Sequence, residues 1–128
     1  MKKFILLVLF SLLFGASLRA QCDINTFKEI CIKKIPEYFV YSKSFELTQK
    51  ESKYEVIFNK LRAYILIADS YRTNIEIYRI EEDEELRLIK SSKAYLSYVP
   101  SVTGRYKIRF EFQETDEYCG AAVLSFLR

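Results

Sequence analysis

The side chains of this 128-residue sequence with the most chemistry in them are three cysteines (Cys22, Cys31 and Cys119), five consecutive acids at residues 81–85, and ten tyrosines. In an oxidising compartment three cysteines form one disulfide and leave one thiol over, with three pairings open. Ile24, Phe27, Cys31 and Ile35 recur at helical spacing, which puts Cys31 on the apolar face of a short helix and against the body of the domain. Cys119 falls in the last expected strand, so Cys31–Cys119 is the favoured bridge, tying the N-terminal helix to the C-terminal strand. In the chain-entropy model a loop of that length is worth roughly 4 to 5 kcal/mol. Cys22 is then a near-terminal free thiol or an intermolecular partner. The sequence has no close Cys-x-x-Cys pair and no His, so nothing supports a catalytic or metal-binding cysteine.

The absence of His also removes Ser-His-Asp and Cys-His catalysis, because no other side chain titrates near neutral pH without a large shift. Paired carboxylates remain as a way to hydrolyse glycosides, but they must face each other across a cleft, roughly 5 to 10 Å apart. Acids in an unbroken run sit on one turn and hold no such geometry. Calcium loops space their ligands and use a glycine for the sharp bend. Residues 81–85 have neither, so they read as a solvated hairpin tip, with a weak cation site as the alternative. No enzyme, cofactor or metal site is therefore expected. Tyr71, Tyr95 and Tyr98, in or beside loops or on strands of mixed polarity, are the candidates for stacking on a sugar ring or another small ligand. Core packing and cross-strand pairing are the plainer roles for tyrosines in a sequence without Trp.

Residues 1–20 have the three parts of a secretory signal peptide: Lys2-Lys3, an apolar centre over residues 4–14, and the small-residue exit from Gly15 to Ala20. The apolar run is too short to span a bilayer, which needs roughly 20 residues. Cleavage after Ala20 fits best, and cleavage after Ser17 is the alternative. Cys22 stands where a lipidated cysteine could, but Gln21 before it is larger than lipoprotein processing prefers, so a lipid anchor is possible and not favoured. The formal charge of +3 comes from the leader: 20 basic groups less Lys2, Lys3 and Arg19 leave 17 to face 17 acidic ones. A neutral mature chain gives no reason to expect nucleic acid as a partner.

Residues 21–128 suit one domain. Thr26 followed by Glu29 has the spacing of a capping box and Pro36 stops the pattern, which predicts a helix over about residues 24–34. From about residue 38 the period becomes two. Strands are expected around 39–47 and 54–58, over the nearly continuous apolar run 61–68 that suits a central strand, and over 75–80, 86–90 and 94–99. Tyr106, Ile108, Phe110 and Phe112 then alternate strictly with charged or polar neighbours, followed by a strand from about Tyr118 to Leu127 that is apolar on both faces. Eight short strands without alternating helices predict an all-β, antiparallel two-sheet β-sandwich, jelly-roll-like, with one short N-terminal α-helix at an edge or end. Folding a chain of this size buries roughly two thirds of its surface and leaves little interior for a large pocket.

From Asn74 onward the order of strands, the acidic turn and the segment Thr103-Gly104-Arg105-Tyr106-Lys107-Ile108-Arg109-Phe110 resemble the bacterial pre-peptidase C-terminal domains and, more distantly, the lumenal GOLD-type sandwiches. The resemblance spans about residues 61–127 and implies a non-catalytic accessory of an exported protein. The expected function is protein contact in a surface or periplasmic assembly, with binding of glycan or a small ligand by the loop tyrosines as the alternative.

Overall fold

The computed structural model describes residues 22–128, so the signal-peptide reading of residues 1–20 lies outside the described residues. Helix α1 (Ile24–Lys33) is followed by eight strands: β1 (Phe39–Leu47), β2 (Glu51–Phe58), β3 (Tyr64–Ala68), β4 (Thr73–Ile80), β5 (Leu86–Lys93), β6 (Tyr95–Tyr98), β7 (Gly104–Phe112) and β8 (Gly120–Leu127). They form two antiparallel four-stranded sheets, ordered β1-β8-β3-β6 and β2-β7-β4-β5. That is the strand order of an eight-stranded jelly roll. Among the described residues no helix is long and apolar enough to cross a membrane.

Alternation builds the core. In β7, Tyr106, Ile108, Phe110 and Phe112 point inward while Arg105, Lys107, Arg109 and Glu111 point out, as period two requires. Phe45, Leu47, Val56, Phe58, Leu66, Ile75 and Leu96 complete the layer between the sheets. Each such side chain contributes about 1.5 to 3 kcal/mol by leaving water. Strands β3 and β8, whose sequences are apolar on both faces, lie inside their sheet and pack on both sides. Their second face is covered by α1, where Cys31, Ile65, Ile67 and Val123 make a separate small core with Ile32, Ile35 and Phe39. The helix therefore lies across a sheet face, where the sequence suggested an edge or end; a strand pair buried on both faces needs that cover.

Several boundaries differ from the sequence reading. The cap of α1 is Asp23, whose carboxylate accepts hydrogen bonds from the Thr26 backbone N–H at 3.2 Å and the Thr26 hydroxyl at 2.7 Å. Strand β3 starts at Tyr64, because the Asn59-Lys60 turn continues through Leu61, which stands in the left-handed region at φ 66°. Strand β8 starts at Gly120, and Tyr118 stays in the preceding loop with its ring stacked on Phe112.

The disulfide is Cys22–Cys119, not the expected Cys31–Cys119. Helical spacing placed Cys31 correctly on the apolar face, but that face lies over the sheet. There the thiol donates to the Ala121 carbonyl at 3.5 Å and is fully buried. Cys119 sits in the loop ahead of β8, beside the residue that precedes the helix rather than the one that faces the sheet; the Cα atoms of Cys22 and Cys119 are 5.6 Å apart. The bridge consumes the Cys22 sulfur that a lipid anchor would need. Burial pushes the Cys31 thiol up to about 12, with Asp69 adding to the shift. Since the thiolate is the nucleophile, Cys31 is expected to resist an alkylating reagent at pH 8 in the folded protein and to label fully in denaturant, a difference read by intact mass.

Candidate functional site

The outer faces of the two sheets differ. That of β1-β8-β3-β6 carries α1. That of β2-β7-β4-β5 has no element over it among the described residues, and its outward side chains form an ordered ionic array. Register builds this array: Lys53 on β2 and Glu76 on β4 both stand opposite Arg109 on the central strand β7, and Glu51 stands opposite Glu111. The Arg109 guanidinium consequently pairs with Glu76, with Glu111 and with Glu51, the last with Nε 3.0 Å from Oε1. Lys53 joins from the far side, 3.1 Å from Glu51. Tyr78 donates its hydroxyl to Glu76 at 3.0 Å. Two outward positions along β7, past Lys107, Arg105 bridges Glu55 at 2.5 Å and Glu84 at 3.1 Å, which fastens the β4–β5 hairpin to β7.

The array shifts its members. Hydrogen bonding to Arg109, then to Lys53, holds the Glu51 carboxyl down to about 2, from an ordinary 4.5. Arg109 is raised further above its already high value, foremost by its bond to Glu51. Burial, then the bond to Glu76, raises the Tyr78 phenol. A carboxyl depressed in the folded state stabilises above its unfolded pKa and loses that contribution as pH falls through its folded value. The stability advantage of the wild type over Glu51→Gln is therefore expected to be full above about pH 4.5 and to shrink between about 4.5 and 2, as measured by denaturant titration at several pH values. Around the charges stand apolar side chains that water reaches: Ile57 is 70% exposed, with Leu88 and Leu86 also open.

A second feature is a cleft of about 420 Å³ at the end of the sandwich away from the β4–β5 hairpin, lined by Phe27, Asp69, Tyr71, Arg72, Phe112 and Glu117 among others. Burial raises the Asp69 carboxyl, although it accepts the Ala121 N–H at 2.8 Å. This contact is what requires glycine at 120: a Cβ there would stand 2.6 Å from Asp69 Oδ1. Asp69 is thereby a clasp between the β3–β4 connection and the start of β8.

The three candidate stacking tyrosines do not form one platform. Tyr71 lines the cleft, exposed, with the Arg72 guanidinium 5.7 Å from its ring centre. Tyr95 and Tyr98 leave β6 on opposite faces. Tyr98 packs inward, its ring 6.2 Å from Phe58 and 6.0 Å from Tyr106, while Tyr95 stands exposed on the outer side. The acids at 81–85 make the β4–β5 hairpin tip, with Glu84 at φ 66° and the Glu85 N–H bonded to Asp83 Oδ1 at 3.2 Å. Among the described residues no three Cys, Asp or Glu side chains are grouped to hold a metal ion. The residues that sequence reasoning missed are the Glu51, Glu76 and Glu111 partners of Arg109. Alternation puts Glu111 beside Arg109 on β7, but only strand register brings Glu51 and Glu76 to them. No protein-family model matches this chain, and no curated protein matches it.

Proposed function

We propose that this is an exported, non-catalytic β-sandwich that works through protein contact, as an accessory or small subunit of a surface or periplasmic assembly. Its contact surface is the uncovered face of β2-β7-β4-β5. The observation that carries this reading is the Arg109 array: charged side chains already fixed in place by one another, beside the exposed Ile57, Leu86 and Leu88. Preordered polar groups next to exposed apolar ones lower the entropic cost of association. The face balances Lys53, Arg105, Lys107 and Arg109 against Glu51, Glu55, Glu76 and Glu111, which suits a protein surface of mixed charge and not a polyanion. Export agrees with the leader in the sequence and with the Cys22–Cys119 disulfide, since such bonds persist in oxidising compartments. Photo-crosslinking in the exporting host tests the reading. A probe at Leu88 or Lys107 should give one discrete heavier species that a probe at Tyr41 or Ile30, on the helix-bearing side, does not. The same species from all four positions, or from none, would contradict it.

One observation favours a second reading: Tyr71, 71% exposed beside the Asp69 cleft, offers a ring and polar groups together, the combination that a sugar or small-ligand site uses. A glycan array whose signal disappears in Tyr71→Ala would favour that reading over protein contact.

A further inference from the structure

We propose that two copies of this chain associate end to end about a two-fold axis, through the end of the sandwich formed by the β2–β3 turn, the β6–β7 turn and the β4–β5 hairpin. This interface is separate from the sheet face argued above and does not depend on it.

The strand order β2-β7-β4-β5 places the turn leading into β7 between the end of β2 and the β4–β5 hairpin. Hydrogen bonds hold the three together as one surface. Leu61 N–H donates to the Pro100 carbonyl at 3.0 Å, Lys60 N–H to Thr103 Oγ1 at 2.7 Å, and the Tyr106 hydroxyl to the Val102 carbonyl at 2.7 Å. Arg105 ties in the hairpin through Glu84. Leu61 in the β2–β3 turn and Val99 and Val102 in the β6–β7 turn are all exposed at this end. Leu61 is the sharpest case: a leucine 75% open to water, on a backbone conformation that leucine rarely adopts. Nothing inside the fold gains from displaying it there, and strained, exposed apolar groups concentrate at contact sites.

Charge separates across the same end. On one side are Lys60 and Arg62, with Arg128 lining the same groove; Lys60 and Arg62 make no salt bridge among the described residues. On the other side are the acids at 81–85. Arg79 stands 3.9 Å from Glu81 and Arg105 engages Glu84, which leaves Glu82, Asp83 and Glu85 without a salt bridge among the described residues. A surface that is basic around Leu61 in the β2–β3 turn, apolar at Val99 and Val102 in the turn between, and acidic at the β4–β5 hairpin is complementary to itself. A two-fold rotation lays the basic side of each copy on the acidic side of the other and covers both apolar centres at once. The acidic hairpin would repel an anionic membrane, so the second copy fits this end better than a lipid surface does.

Sedimentation equilibrium on the mature, disulfide-intact protein tests the proposal. The wild type should show a monomer–dimer equilibrium that weakens as salt rises to about 0.5 M. Lys60→Glu with Arg62→Glu, and separately Glu82→Lys with Glu85→Lys, should each weaken dimerisation at least about tenfold. Mixing the two variants should restore it as a heterodimer, because each then offers the charge that the other lacks. Leu61→Asn tolerates the left-handed backbone and removes the apolar contact, so it should fold as the wild type does and dimerise less. A wild type monomeric at every concentration, larger open-ended oligomers, or charge-reversed variants that do not recover on mixing would each overturn the two-fold interface.

Discussion

Cys22→Ser and Cys119→Ser are each expected to lower the unfolding temperature by about 20 °C, while Cys31→Ser lowers it by about 5 to 10 °C. The bridge spans 97 residues, nearly the whole folded chain. In the chain-entropy model that closure is worth about 4 to 5 kcal/mol, and a domain of this size moves about 4 to 8 °C per kcal/mol. It also fastens the start of α1 to the β7–β8 loop, so its loss lets the cover of the second core lift away. Cys31 takes no part in the bridge; its sulfur fills space under the helix and donates one weak hydrogen bond. A serine there keeps a donor for the Ala121 carbonyl at a packing cost of about 1 to 2 kcal/mol. Calorimetry of the three variants decides the matter: equal losses from Cys31→Ser and Cys22→Ser would mean that the thiol at 31 shares in the disulfide.

Phe58→Ala should cost about 3 to 5 kcal/mol, whereas its neighbour Ile57→Ala should stay within about 0.5 kcal/mol of the wild type. Phe58 is fully buried, its ring centre 4.3 Å from Tyr64 and 5.1 Å from Tyr106, so truncation opens a cavity in an aromatic cluster that cannot collapse to fill it. Ile57 projects from the other face of β2 into water. The pair reads the register of β2 against β7 directly, since a one-residue slip would exchange the two faces. Urea titration with unchanged m values would give both numbers; similar losses for the two variants would contradict this register.

What the sequence made legible was whatever one strand or helix decides by itself. The strict alternation of β7, the doubly apolar runs of β3 and β8, and the apolar stripe that buries Cys31 each follow from a period that one element imposes. The two-sheet sandwich followed from counting such elements. What stayed hidden depends on distance across the fold. The partner of Cys119 is not legible in the sequence, because a helical stripe says which side of α1 faces inward but not which part of the sheet lies beneath it. Leu61 looked like the start of a strand because hydropathy does not report φ; the turn persists there through hydrogen bonds from Leu61 to Pro100 and from Arg62 to Asn59. Of the glutamates around Arg109, Glu111 follows from alternation along β7, whereas Glu51 and Glu76 come from β2 and β4 and meet it only through register. Tyr71, Tyr95 and Tyr98 share polar surroundings in the sequence, whereas pleating sends Tyr95 and Tyr98 to opposite sides of one strand.

The uncovered face of β2-β7-β4-β5 as a protein-contact surface is tested most directly by quantitative affinity purification from the exporting host. Wild type, Ile57→Asp with Leu88→Asp, and Tyr71→Ala would be compared at equal recovery. The predicted result is one partner in fixed stoichiometry with the wild type and with Tyr71→Ala, and lost with the Ile57 and Leu88 pair. A partner kept by the face variant, or lost only with Tyr71→Ala, would contradict the assignment and move the working surface to the cleft beside Asp69.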